Sequence, residues 1–152
     1  MITLQKVKDW IATFPDFDIL GSFQVDYIDQ IPANGSISPA GLVEVERRPD
    51  IMGNVAVTNQ YNFGLYYVFE KATGDDTGAT INADWILDFQ KWVQEQSATG
   101  QAPVFGDIPN QERITAQNGM LYETDEEGTA TYVVQMSIQF IKNYEVTNKW
   151  LK

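Results

Sequence analysis

Two segments of the chain repeat apolar residues every three or four positions, which is the spacing of one helix face. The first stripe consists of Leu4, Val7, Trp10, Ile11 and Phe14. It predicts a helix over about residues 3–14 that Thr3 caps and Pro15 stops. The second stripe consists of Trp85, Phe89, Trp92, Val93 and Gln96. It predicts a second helix that Asn82 caps and Gly100 ends, with the aromatic residues packed in a core rather than lining a ligand groove.

Alternation of apolar and polar residues predicts the strands. It is strongest over residues 55–69, which we expect to form one long, bent strand in which Gly64 permits a bulge or close packing. A shorter alternation ends near Asp29, and another short strand is expected over residues 42–48. The intervening residues 31–41 are rich in proline, glycine and serine, and they predict a loop.

The C-terminal third predicts a hairpin. One strand spans residues 114–123, the acidic turn 125–128 follows, and the second strand runs from Tyr132 to about Tyr144. The expected order is therefore α-β-β-β-α-β-β. We predict one α+β domain over residues 1–152, with a mostly antiparallel sheet, both helices on one face and a flexible C-terminal tail at 145–152.

Composition and charge narrow the classes of function. The chain has 152 residues, of which 43% are hydrophobic, and its formal net charge is -11. Phosphate backbones and anionic lipid surfaces repel such a charge, so neither nucleic-acid nor membrane binding is expected. No apolar run approaches the ~20 residues that a membrane-spanning helix needs. We expect no signal peptide and a protein made in the cytoplasm.

The chain contains no cysteine and no histidine. Disulfides, thiolate zinc sites, cysteine nucleophiles and the commonest general base are therefore excluded together. A nucleophilic hydroxyl could be activated only by a lysine, and no serine stands in a motif of that kind. No glycine-rich phosphate loop is present either. We expect no enzymatic activity and no cofactor.

Two acidic clusters offer the remaining candidate chemistry. They are Asp75 with Asp76, and Glu123 with Asp125, Glu126 and Glu127. A pair of carboxylates could serve a glycosidase, and several convergent oxygens could bind a divalent cation. Both clusters fall in predicted turns, where carboxylates remain solvated, and we therefore interpret them as solubilising acidic loops.

Two pairs of residues are candidates for a contact between subunits. Tyr66 and Val68 lie on the second face of the long strand, which the helices are expected to leave partly exposed. Trp150 and Leu151 lie in the tail, where they either fold back onto their own domain or dock on a neighbour.

Four segments resemble small proteins from the structural gene clusters of tailed phages and prophages. They read GNVAVTNQYNF at residues 53–63, NADW at 82–85, FGD at 105–107 and NGMLY at 118–122. The resembling proteins are minor capsid or tail-completion proteins, including tail terminators. The resemblance extends from about residue 19 to residue 144.

This resemblance implies a structural protein of the virion without catalytic residues. Tail terminators are small α+β proteins that form a ring, commonly of six subunits, which caps the tail tube and meets the head connector. A tail terminator or neck component would therefore have itself, tail-tube proteins and connector proteins as partners. The alternative is an acidic inhibitor or immunity-type protein that blocks a basic enzyme. Oligomeric state separates the two, because the inhibitor is expected to be a monomer.

Overall fold

The computed structural model describes residues 3–17, 22–25, 34–70, 76–107, 112–124 and 129–145. The elements are, in chain order, α1 (Thr3–Ile11), β1 (Ser22–Val25), β2 (Asn34–Pro49), β3 (Val55–Glu70), α2 (Asp76–Ala98), β4 (Arg113–Thr124) and β5 (Thr129–Tyr144). This is the predicted α+β class, and the order of elements is the predicted one.

The five strands form one sheet with the order β1-β2-β3-β5-β4. Every pairing is antiparallel except that of β1 with β2, which is parallel. At the centre, β3 and β5 pair without interruption from Val55 opposite Tyr144 to Glu70 opposite Thr129. The mostly antiparallel sheet and the single long β3 strand are thus confirmed.

Both helices cover the same face of this sheet, as predicted. The odd-numbered residues of β3 and the even-numbered residues of β5 point toward them and form the core. Its fully buried side chains include Val7, Ile11, Leu65, Tyr67, Phe89, Val93, Val134 and Ile138. Trp10 of α1 stacks on Trp92 of α2 with ring centroids 4.8 Å apart, so the helices also pack on each other. The two aromatic stripes are therefore core residues.

The prediction of a loop over residues 31–41 is wrong from residue 34 onward, because β2 begins at Asn34. The proline and glycine that suggested a loop lie at a bulge between Pro39 and Leu42, where Gly41 has a φ of 93°. The neighbouring strand β1 pairs with β2 only as far as Ile37, which lies opposite Val25. Beyond this pair, no described strand lies on the outer edge of β2, and an edge strand is where proline is tolerated in a sheet.

The helix ends also differ from the prediction. α1 ends at Ile11 rather than at residue 14, and a series of backbone turns carries Phe14 into the core. α2 begins at Asp76 rather than after Asn82. The predicted end is confirmed: Gly100 has a φ of 72°, and Gln101 N–H donates to the Gln96 carbonyl at 2.9 Å.

Candidate functional site

Val68 does not lie on an open surface, and this part of the prediction is wrong. Its side chain is 0% exposed, and Thr131, its partner on β5, is buried too. Tyr66 is half-buried, with its ring 5.8 Å from that of Tyr122. Alternation assigns a side chain to a face of the sheet, but it does not reveal how far that face is covered.

The other candidate residues fall outside or at the margin of the described residues. Trp150, Leu151, Asp75, Asp125, Glu126 and Glu127 lie outside them. Asp76 is the first residue of α2, so the predicted turn is wrong at that position. Within the described ranges, no three acidic side chains converge in a way that could hold a metal ion.

The structure instead presents a long hairpin whose outer strand and turn are exposed from residue 39 to residue 54. We call residues 39–61 the arm: the outer part of β2, a tight turn and the start of β3. Every residue from 39 to 54 is exposed. The exposed apolar side chains of the arm are Leu42, Val43, Val45, Ile51 and Met52. Five exposed apolar side chains in one hairpin are more typical of a surface that meets another protein than of free solvent.

The turn at the end of the arm is held rigidly. Asp50 Oδ1 accepts hydrogen bonds from the backbone N–H of Met52 at 2.8 Å and of Asn54 at 2.9 Å. Asp50 N–H donates to the Asn54 carbonyl, and Gly53 has a φ of 85°, which suits glycine. Ile51 is 102% exposed and Met52 is 78% exposed. Two apolar side chains are therefore held outward by an ordered turn, and we call this pair the tip.

An aromatic cluster closes the core where the arm begins. Tyr61 stacks on Phe140 with centroids 5.0 Å apart, and Phe105 packs edge-on against Tyr61 at 5.8 Å. The loop that carries Phe105 is fixed to β5, because Asp107 N–H donates to the Ile141 carbonyl at 3.0 Å. A Cβ on Gly106 would lie 2.6 Å from that carbonyl oxygen, so only glycine permits this close approach. Beyond this cluster the strands continue without helices above them.

Two concave regions line the helix side of the arm and share Leu42. The first is a trough of about 500 Å³, which is lined by Leu42, Glu44, Arg47, Val55, Val57, Asn59 and Tyr144. The second is a groove of about 300 Å³ at the foot of the arm, which is lined by Thr3, Leu4, Pro39, Gly41, Leu42, Tyr61, Asn62 and Phe63. The groove is almost wholly apolar, and α1 supplies one of its walls.

The charges on the arm are largely paired within it. Arg47 bonds Glu44 at 2.7 Å, and Arg48 bonds Glu46 at 2.7 Å. These exposed pairs contribute little to stability. They do leave the arm close to neutral in a chain whose formal net charge is -11. The adjacent helix α1 carries two lysines and one aspartate, so neither the arm nor the wall of the groove is strongly acidic.

The face opposite the helices carries a network of neutral polar side chains. Asn62 Oδ1 accepts from Gln60 Nε2 at 2.7 Å and from Ser137 Oγ at 3.1 Å, and Gln139 Nε2 donates to Gln60 Oε1 at 2.9 Å. Three members of this network, Gln60, Ser137 and Gln139, line a hollow of about 320 Å³. Arg113, Thr115 and Gln117 complete its lining, and Asn62 is not part of it. Ser137 donates to an amide oxygen rather than to a base, so this arrangement does not activate it as a nucleophile.

Two carboxylates near the foot of the arm have altered proton affinities. Glu112 is 7% exposed, and neither of its carboxylate oxygens has a hydrogen-bond partner of ordinary geometry among the described residues. Burial raises the pKa of Glu112, while the nearby backbone N–H groups of Phe105 and Gly106 and the charge of Lys6 limit the rise. Hydrogen bonds from the Asn143 backbone N–H and from Lys142 Nζ lower the pKa of Asp107.

Sequence reasoning missed the arm, although a signal was present. Ile51 and Met52 lie between Pro49 and Gly53 in a tight turn, a position where polar residues are usual. Two adjacent apolar residues at such a turn indicate that the turn is not simply solvated.

Comparison with protein-family models and with curated protein sequences finds no match for this chain. Among the described residues, no helix combines the length and the hydropathy that crossing a membrane requires. The function of this protein is therefore inferred from its sequence and from the geometry described above.

Proposed function

We propose that this chain is a structural subunit of a tailed-phage or prophage particle, a tail terminator or neck component that acts by assembling into a ring. The observation that carries the proposal is the arm. A domain with a well-packed aromatic core holds Leu42, Val43 and Val45 in solvent on a hairpin and ends it in an apolar tip. An exposed apolar surface of this kind lowers the solubility of the protein, and self-association would bury it.

The outer edge of the arm supports the same proposal. Among the described strands, none pairs with the outer edge of β2 beyond Ile37, and an edge strand is a template for pairing with another chain. The resemblance to phage structural proteins includes this region, because the segment GNVAVTNQYNF at residues 53–63 overlaps the arm from residue 53 to residue 61. The acidic loops would keep the free subunit soluble before assembly.

Deletion of the coding sequence from the phage or prophage genome that carries it tests this proposal directly. Particles are then induced and imaged by electron microscopy. We expect heads and tails that fail to join, or tails of abnormal length, and rescue by the intact gene supplied in trans. Normal virions without the gene would overturn the proposal. An acidic inhibitor would instead reveal itself as a monomer that binds one basic enzyme tightly.

A further inference from the structure

We propose that the tip of one copy, Ile51 with Met52, docks in the groove at the foot of the arm of a second copy. This inference deepens the proposed function, and the closure of the contact into a ring rests on it. Four features of the structure support the contact itself: the distance within one chain, the match of the two surfaces, their charge and the rigidity of the tip.

Distance excludes docking within one chain. The groove begins at Leu42, and the tip begins nine residues later along the same extended hairpin. At about 3.3 Å per residue, the tip lies roughly 25 Å or more from its own groove. The arm also keeps its direction, because β3 pairs with β2 on one side and with β5 on the other. Only another copy can therefore place its tip there.

The two surfaces match in size and character. The groove has a volume of about 300 Å³ and is lined mainly by apolar side chains and by glycine and proline backbone. A volume of this order is small for a ligand pocket but suits two aliphatic side chains. Methionine adapts its shape to irregular apolar gaps, which favours Met52 as the residue that enters deepest.

The charges next to the contact favour it, although the net charge of whole subunits opposes their approach at low salt. The tip is preceded by Asp50, and the groove wall α1 carries Lys6 and Lys8 with one aspartate, Asp9. Approach of the tip thus brings a carboxylate toward a helix with a surplus of lysine. The formal net charge of the whole chain is -11, so contacts between its acidic surfaces would bring together like charges.

The rigidity of the tip lowers the entropic cost of docking. The turn is already fixed by the two hydrogen bonds to Asp50 Oδ1 and by Gly53 in its left-handed conformation. A preorganised segment loses less freedom when it binds. Since tip and groove are different patches of one surface, each copy can receive one neighbour and enter another. Such a contact forms a closed ring or an open filament.

Disulfide trapping tests this contact cleanly, because the natural chain contains no cysteine. Met52→Cys and Leu42→Cys proteins are mixed under mild oxidation, and the mixed dimer is quantified. The matched control pairs Met52→Cys with Thr115→Cys on the polar face. We expect several-fold more mixed dimer with Leu42→Cys than with Thr115→Cys. Equal yields, or a dominant Met52→Cys homodimer, would overturn the inference.

A chain that carries both Met52→Cys and Leu42→Cys extends the test. Bridged cysteines need Cα atoms within about 7 Å, so the two cysteines of one copy cannot react with each other. Oxidation should give a ladder of linked subunits that stops at the size of the ring. A product confined to the monomer would contradict the contact. If rings form but the cross-link does not, the tip-in-groove contact is wrong and the proposed function is unaffected. If the ladder forms but deletion of the gene leaves normal virions, the proposed function is wrong and the contact is unaffected.

Discussion

The indole Nε1 of Trp85 donates a hydrogen bond of 3.1 Å to the backbone carbonyl of Asp16. The bond joins α2 to the segment that follows α1, and Phe14 packs edge-on against the same indole at 5.5 Å. Tyr67 of β3 lies 4.7 Å from it on the sheet side. Trp85 thereby connects both helices to the sheet.

Trp85→Ala should therefore lower the free energy of unfolding by roughly 3–5 kcal/mol, as expected for a large aromatic side chain removed from a core. Leu87→Ala on the exposed side of α2 is the control and should change it by about 0.5 kcal/mol or less. Denaturant unfolding monitored by circular dichroism gives both values. Equal effects of the two substitutions would show that the packing of Trp85 is not as described.

Glu112→Gln should stabilise the protein at neutral pH. Burial raises the pKa of Glu112 above its ordinary value of 4.5, so the folded state binds the proton more tightly than the unfolded state. The contribution of Glu112 to stability is fully present when the pH is below that ordinary pKa. It is lost as the pH rises through the raised pKa of the folded state. Thermal melts should give a higher Tm for Glu112→Gln at pH 7, with the difference shrinking toward pH 4. A lower Tm at pH 7 would contradict this account.

Asp107→Asn should have the opposite effect. Hydrogen bonds to Asn143 and Lys142 lower the pKa of Asp107 below its ordinary value of 3.8. Its contribution is present above that value and is lost as the pH falls through the folded pKa. The variant should melt at a lower temperature than the wild type at pH 7, and the two should converge in strong acid. A difference that widens on acidification would be inconsistent with these bonds.

The helix stripes could be predicted from the sequence because periodicity alone determines which residues share a face. The stripe from Trp85 to Val93 is buried as expected, and Gly100 ends α2 as expected. Periodicity does not reveal which strands become neighbours, so the parallel pairing of β1 with β2 could not be predicted. Periodicity also does not reveal whether other parts of the chain pack over a given face of the sheet. For this reason the sequence predicts an exposed Val68, whereas the structure buries it.

The arm could not be predicted from the sequence, for a different reason. The proline and glycine at residues 39 and 41 favour a loop locally, but pairing with β3 keeps this segment extended through a bulge. Tertiary pairing therefore outweighs local preference. The candidate site depends on where the helices stop covering the sheet, which is a property of packing rather than of any one segment.

Asp50→Ala should loosen the tip without unfolding the domain. It removes the acceptor of two backbone N–H groups on the exposed turn, and each such bond contributes about 1 kcal/mol. Hydrogen exchange at Met52 and Asn54 should accelerate, while exchange in β5 should not change. Glu46→Ala, in the middle of the arm, is the control and should leave exchange at the tip unchanged. Unaltered exchange in Asp50→Ala would show that the turn is held by other contacts.

Sedimentation velocity tests most directly whether the arm mediates self-assembly. With a charge of -11 per subunit, repulsion should oppose association at low salt, and screening shortens its range to about 8 Å near physiological ionic strength. The wild type should therefore sediment as a monomer when dilute at low salt and as a ring when concentrated in salt. The double variant Ile51→Asp, Met52→Asp should melt like the wild type and remain a monomer throughout. A wild type that stays monomeric under every condition, or a variant that assembles equally well, would contradict the account.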